Sequence, residues 1–171
     1  MRVTVLIYSA CITLLILIQS TVLDYIKVFN VKPNLLIVAV ITVALLRGNV
    51  EGAVVGFVLG LLQDASSGKI LGFYSLLGMY LGLIVGSVNK RLYRENFFVM
   101  IFFTFISSIL YEETVYILLT ISKGNIDFVY SLKNIVFPEA VYNSVASILI
   151  YIIVIKINKK IEGAAKSSRK Y

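Results

Sequence analysis

Four acidic residues stand within or at the ends of apolar stretches of this chain: Asp64, Glu112, Glu113 and Glu139. Carboxyl groups are costly inside a bilayer, where they face a bundle interior, a partner or a wet cavity. Paired intramembrane carboxylates can serve proteolysis, but these are spread over several helices and no motif binds them into one set. Glu112 and Glu113 are neighbours, about 100° apart around a helix, so they cannot do the same job. Glu139 belongs to the stretch Phe137-Pro138-Glu139-Ala140-Val141-Tyr142-Asn143. There Pro138 suits a first helical turn and Glu139 complements the positive end of the helix dipole. Tyr142 and Asn143 follow at three and four residues and share the face of Glu139. A helix cap with interhelical hydrogen bonds accounts for this group at least as well as a binding site does. The chain has no histidine, and its single cysteine, Cys11, lies in an apolar run. Haem, zinc and Cys–His catalysis are therefore excluded within the chain, as is an internal disulfide. No catalytic residue, metal or cofactor is expected.

The elements that position these residues are set by hydropathy. Hydrophobic residues make up 59% of the 171, with a mean hydropathy of +0.92, against roughly 45–50% apolar residues in soluble domains. The apolar runs are continuous rather than alternating, so the spans are helices and not barrel strands. One domain is expected over residues 1–171, an all-α integral membrane bundle of six transmembrane helices. The spans fall at 3–23, 34–46, 50–63, 70–88, 97–121 and 135–157, followed by a basic tail over 158–171. Spans two and three are short, and charge decides that they are separate rather than one bent helix. Six spans place eleven Lys and Arg residues on one side and five on the other, which puts both termini in the cytoplasm. Merging spans two and three would separate Lys90-Arg91-Arg94 from the tail. The net charge of +7 is concentrated in that tail, which fixes topology and can also meet anionic lipid, and does not point to nucleic acid. On this topology Arg47 and Glu51 lie one turn apart at a cytoplasmic turn and can pair.

Glycines supply the strongest pattern. Gly48, Gly52, Gly56 and Gly60 form one row at a step of four, and Gly78, Gly82 and Gly86 form a second. Each row lies on one helical face, and small residues at this step let a second helix approach closely in an apolar medium. One more step of four carries the first row into Asp64, so Gln63-Asp64 ends the glycine face. The rows serve folding and self-association equally well, and Gly52-Gly56-Gly60 is also a candidate face for a partner helix.

In order along the chain, these stretches resemble the MreD family of bacterial cell elongation. The resemblance is carried by Lys32-Pro33-Asn34-Leu35-Leu36, by Leu45-Leu46-Arg47-Gly48 with Glu51-Gly52, and by Gly56-Phe57 through Gly60-Leu61-Leu62-Gln63-Asp64 with Gly68 and Gly72. Asn89-Lys90-Arg91-Leu92-Tyr93-Arg94-Glu95-Asn96 and Pro138-Glu139-Ala140-Val141-Tyr142-Asn143 complete it. It covers nearly the whole chain. The resemblance implies a non-enzymatic scaffold in the bacterial cytoplasmic membrane that binds the single-pass protein MreC. It also implies association with MreB filaments, RodA and its class B penicillin-binding partner. The family is similar, distantly, to the six-helix substrate-binding subunits of energy-coupling-factor vitamin transporters. That likeness supplies an alternative, in which Glu113, Glu139 and Asn143 stand near a ligand pocket on the outer side.

Overall fold

A computed structural model describes residues 12–25, 27, 31–67, 71–88, 97–121 and 127–168. Cys11, Gly68, Lys69, Lys123 and the stretch Asn89 to Asn96 lie outside the described residues, as do the start of span one and the end of the tail. Among the described residues six helices follow one another: α1 (12–25), α2 (Leu35–Arg47), α3 (Asn49–Ser67), α4 (Phe73–Ser87), α5 (Phe97–Thr120) and α6 (128–168). No β-strand occurs among the described residues. Among the described residues two segments are long and apolar enough to cross a membrane, Phe97–Thr120 and Phe128–Ile157. Ile12–Thr21, Leu35–Arg47 and Phe73–Ser87 are shorter apolar helices.

The short helix α2 is the centre of the bundle. Its start is fixed by Asn34, the N-cap, whose side chain accepts from the Ile37 N–H at 3.4 Å. Pro33 therefore stands one residue outside the cap and not in the first turn. Its end is fixed by Gly48, whose φ of 102° is costly for any residue with a Cβ. The chain reverses there, and α3 runs back along α2, so that Leu36 and Val40 pack with Leu59. All but three of the thirteen residues of α2 are buried. A helix buried on every side is apolar on every side, and α2 contributes to each cluster of the core. Ile37, Ile41 and Ala44 pack with Tyr74, Val85, Tyr111 and Val115. Val38, Ala39 and Val40 pack with Leu59 and Ile150, and Leu46 meets Met100 and Tyr151. At about 1.5 Å per residue α2 is roughly 20 Å long, short of a bilayer core of about 30 Å. Protein surrounds it on all sides, which relieves it of matching that thickness itself.

The most extensive helix contact joins α3 and α4, and there the glycine rows meet each other. Antiparallel packing sets Gly52 against Gly82, Gly56 against Gly78, Gly60 against Tyr74 and Ser75, and Gly86 against Gly48 and Asn49. A Cβ added to Gly78 would fall 2.6 Å from the Gly56 carbonyl oxygen, and one added to Gly52 would fall 2.6 Å from the Ala44 Cβ. The first clash is with backbone, which has no rotamer with which to yield. Only about 10 Å³ of space is left where Val40, Leu59 and Tyr111 meet this seam. Since α3 and α4 fill each other's glycine faces, Gly52, Gly56 and Gly60 are not open to a partner helix.

The last helix begins earlier than its proline suggests. Phe128–Ser131 opens it, capped by Asp127, whose side chain accepts from the Tyr130 N–H at 2.9 Å. A π turn over Leu132–Val136 follows, and Phe137–Ser168 continues as α-helix. Pro138 thus sits inside a continuous helix, immediately after the wider turn. A proline ring would meet the carbonyl four residues back in regular α-helix, and a π turn is a recognised way to absorb such a misfit. Glu139 consequently does not stand at a free helix N-terminus, and the dipole argument for it does not apply. Helix α6 continues to Ser168, so much of the basic tail is helical.

Gly56→Ala and Gly78→Ala are expected to destabilise the purified protein by about 1–3 kcal/mol each, the usual cost of overpacking. A thermal melt in detergent checks this, and a wild-type melting temperature for either variant would contradict a backbone-on-backbone seam.

Candidate functional site

Polar side chains gather at the end of the bundle opposite the Gly48 turn. They form two centres, one at each flank of α2.

The first centre is Asp64, 2% exposed. Its position, one step of four beyond Gly60, aims its carboxylate across the seam at the start of α4. Oδ1 accepts from the Tyr74 N–H at 2.8 Å; Oδ2 accepts from the N–H groups of Gly72 at 3.0 Å and Ser75 at 3.2 Å and from the Ser75 hydroxyl at 2.5 Å. The first N–H groups of a helix have no partner within it, and an anion there also meets the positive end of the dipole. Gly72, with φ 93°, cannot cap α4 with a side chain of its own. Asp64 supplies that cap from the neighbouring helix, so its carboxylate is fully used by the fold. Replacing Asp64 with Asn puts an amide donor where N–H donors converge. The loss expected is about 1.5–3 kcal/mol, the scale of hydrogen bonds to a charged group. Thermal unfolding of Asp64→Asn measures it, and an unchanged melting point would remove the cap from the account.

The second centre ties four helices together. Gln19 of α1 donates through Nε2 to the Pro33 carbonyl at 3.2 Å and accepts the Leu35 N–H on Oε1 at 2.9 Å. The Asn34 N–H donates to Asn143 Oδ1 at 2.7 Å, and Asn143 Nδ2 donates to Ser108 Oγ at 3.1 Å. Asn34 Nδ2 donates to Glu112 Oε1 at 3.2 Å. Glu112 in turn lies in hydrogen-bonding contact with Glu139, and Lys32 is close enough to Glu139 for electrostatic attraction. Ser108 and Glu112 are four residues apart on α5, and Glu139 and Asn143 are four apart on α6. Each pair makes one stripe, and the antiparallel stripes match rung for rung.

Glu113 points elsewhere. It is 7% exposed, and its Oε2 accepts from the Ser131 hydroxyl at 3.2 Å beside the π turn of α6. Its Oε1 and Thr104 Oγ1 are the buried side-chain polar atoms without a partner among the described residues. The adjacent acids thus serve different contacts, and Glu112 rather than Glu113 joins Glu139 and Asn143. Tyr142 is half-buried on the same helix. Arg47 and Glu51 form an ion pair across the Gly48 turn at the other end; at a partly exposed site this adds only tenths of a kcal/mol. No group of three potential metal ligands occurs among the described residues.

Sequence reasoning missed Gln19 as the clamp on α2, along with Ser108, Ser131, Asp127 and the pairing of Glu112 with Glu139. A signal for the pairing existed, since Ser108–Glu112 and Glu139–Asn143 share the same spacing of four.

The family model described as rod shape-determining protein MreD matches residues 1–161. The chain belongs to the MreD family. Membership makes it a membrane protein of the rod shape-determining system, in keeping with helices long enough to span. Comparison with curated proteins and with solved structures gave no match. Among the described residues of the stretches that carry the family resemblance, Asn34, Asp64, Glu139 and Asn143 make contacts between helices at this end, and Arg47 and Glu51 pair between α2 and α3 at the other. In this MreD-family chain those polar positions hold the bundle together.

Glu112→Gln should be tolerated, because an amide can donate to Glu139 and its oxygen can still accept from Asn34. Glu112→Ala strands both partners and should cost about 1–3 kcal/mol. Melting temperatures of the two variants check the pair. Equal losses for Gln and Ala would contradict this reading of the pair.

Proposed function

We propose that this protein is a non-enzymatic membrane scaffold of the elongation complex, binding MreC directly. Through MreC it links MreB filaments to RodA and its class B penicillin-binding partner, and so to wall synthesis along the cell. The observation that carries this reading is the family match over residues 1–161. It is supported by the use of the polar groups. Asp64, Asn34, Gln19 and Asn143 are engaged in hydrogen bonds between helices or chain segments, and Glu112 meets Glu139. Chemistry on a substrate needs a group held ready for it, and these groups are held by one another.

The proposed orientation places both termini and the Arg47–Glu51 turn in the cytoplasm, with the Asp64 and Glu112–Glu139 centres toward the outer face. It rests on the excess of Lys and Arg on one side. The basic cytoplasmic side then lies against anionic lipid, to which each Lys or Arg near the surface contributes about 1 kcal/mol.

Affinity capture of the tagged protein from its own membranes in mild detergent, read by mass spectrometry, is the test. Recovery of MreC with the peptidoglycan synthases is expected. Recovery of paired ATPase subunits and a coupling protein in their place would overturn the scaffold and make this a transport subunit.

A further inference from the structure

A cavity of about 360 Å³ opens between α1 and the end of α3, over the start of α2. Lys32, Gln63, Ser20, Ser66 and Ser67 make its polar wall, and Ile16 and Leu36 its apolar floor. Among the described residues no carboxylate lines it: Asp64, next to Gln63, is turned away onto α4. Ser66 and Ser67 spend their hydroxyl protons on carbonyls of their own helix, at 2.8 and 3.2 Å. The Ser20 hydroxyl has only a long contact of 3.5 Å to the Leu17 carbonyl and is free to turn inward. Donors thus converge from Lys32, the Gln63 amide and Ser20, with one positive charge among them. Glu139, on the α6 side of Lys32, keeps the ammonium near this end of the bundle.

Among the described lining residues the donors converge with one cation and no carboxylate, a set that selects a group with several acceptor oxygens and negative charge. The volume sits at the low end of ordinary ligand pockets, so it admits a headgroup and not the chains of a lipid. Beside it, Leu14 and Leu17 of α1 present exposed apolar surface that acyl chains can follow. We propose that this cavity seats the phosphate-bearing headgroup of a membrane glycerophospholipid, with the acyl chains running along α1. The lipid rests on the bundle's place in a bilayer and not on the identity of its protein partners.

The test uses the purified full-length protein, freed of lipid in detergent, and follows its melting temperature against added phosphatidylglycerol. Two further probes separate the sources of the effect: a diacylglycerol with the same chains and no phosphate, and glycerol 3-phosphate with no chains. Phosphatidylglycerol is expected to raise the melting temperature saturably while neither fragment does so at the same concentration. Gln63→Leu and Lys32→Gln should each weaken the apparent affinity by about tenfold, the scale of one charge-assisted hydrogen bond. Gln63→Leu leaves the Glu139 contact of Lys32 in place, so it reads the cavity even if Lys32→Gln fails to fold. Equal stabilisation by diacylglycerol would overturn the headgroup site. Equal stabilisation by glycerol 3-phosphate would make it a site for a soluble anion. Unchanged affinity in Gln63→Leu would place the lipid elsewhere.

Discussion

The close approach of two backbones, α3 against α4, is the constraint on which the rest of this bundle depends. Helices in a bilayer gain little from hiding apolar surface, since lipid is as apolar as leucine; van der Waals contact and hydrogen bonds must hold them. Glycine removes the side chain from the contact and lets carbonyl meet Cα along three turns, from Gly52–Gly82 through Gly56–Gly78 to Gly60–Ser75. Because that contact has one register, it delivers Asp64 to the start of α4 and nowhere else. The carboxylate then caps a helix that begins at a glycine with no capping side chain. Sliding the seam by one step of four would leave both the acid and the first N–H groups of α4 without partners in an apolar medium, at a cost of several kcal/mol. Packing and capping thus enforce the same alignment.

A second consequence concerns α2. Its thirteen residues are short for a span, and a short helix in lipid would have to thin the bilayer or tilt. The α3–α4 pair on one side and the α5–α6 pair on the other enclose it, and the polar groups around Asn34 tie its start to α1, α5 and α6. Each of these bonds uses a group that would otherwise be costly at that depth. The Glu112–Glu139 contact and the half-satisfied Glu113 show that the end opposite Gly48 is where polar groups concentrate. These contacts fix the helices against one another at that end.

Much of this was legible in the sequence because it is periodic. A glycine every four residues, followed by an acid in the same phase, states a helix face and its polar end without help from tertiary structure. The break at Gly48 is equally local. What was not legible depends on rotation and on distant chain. Which of Glu112 and Glu113 meets Glu139 is decided by about 100° of helix phase, and that phase is set by how α5 packs. The role of Gln19 depends on the return of the chain at Pro33, fourteen residues on. Pro138 was misleading because its usual place is a first turn, and the π turn that lets a helix run through it has no sequence signature of its own. The partner face ascribed to Gly52-Gly56-Gly60 failed for a simpler reason: a glycine row does not say whether the second helix comes from the same chain.

The two glycine rows touch each other within one chain. Solid-state NMR of the protein in lipid bilayers, labelled with ¹³C at glycine alone, tests it most directly. Through-space cross-peaks between Gly56 and Gly78 and between Gly52 and Gly82 are expected. They should persist when labelled protein is diluted in unlabelled protein, since both glycines belong to one molecule. Resolved glycine signals without those cross-peaks, or cross-peaks that fade on dilution, would contradict it.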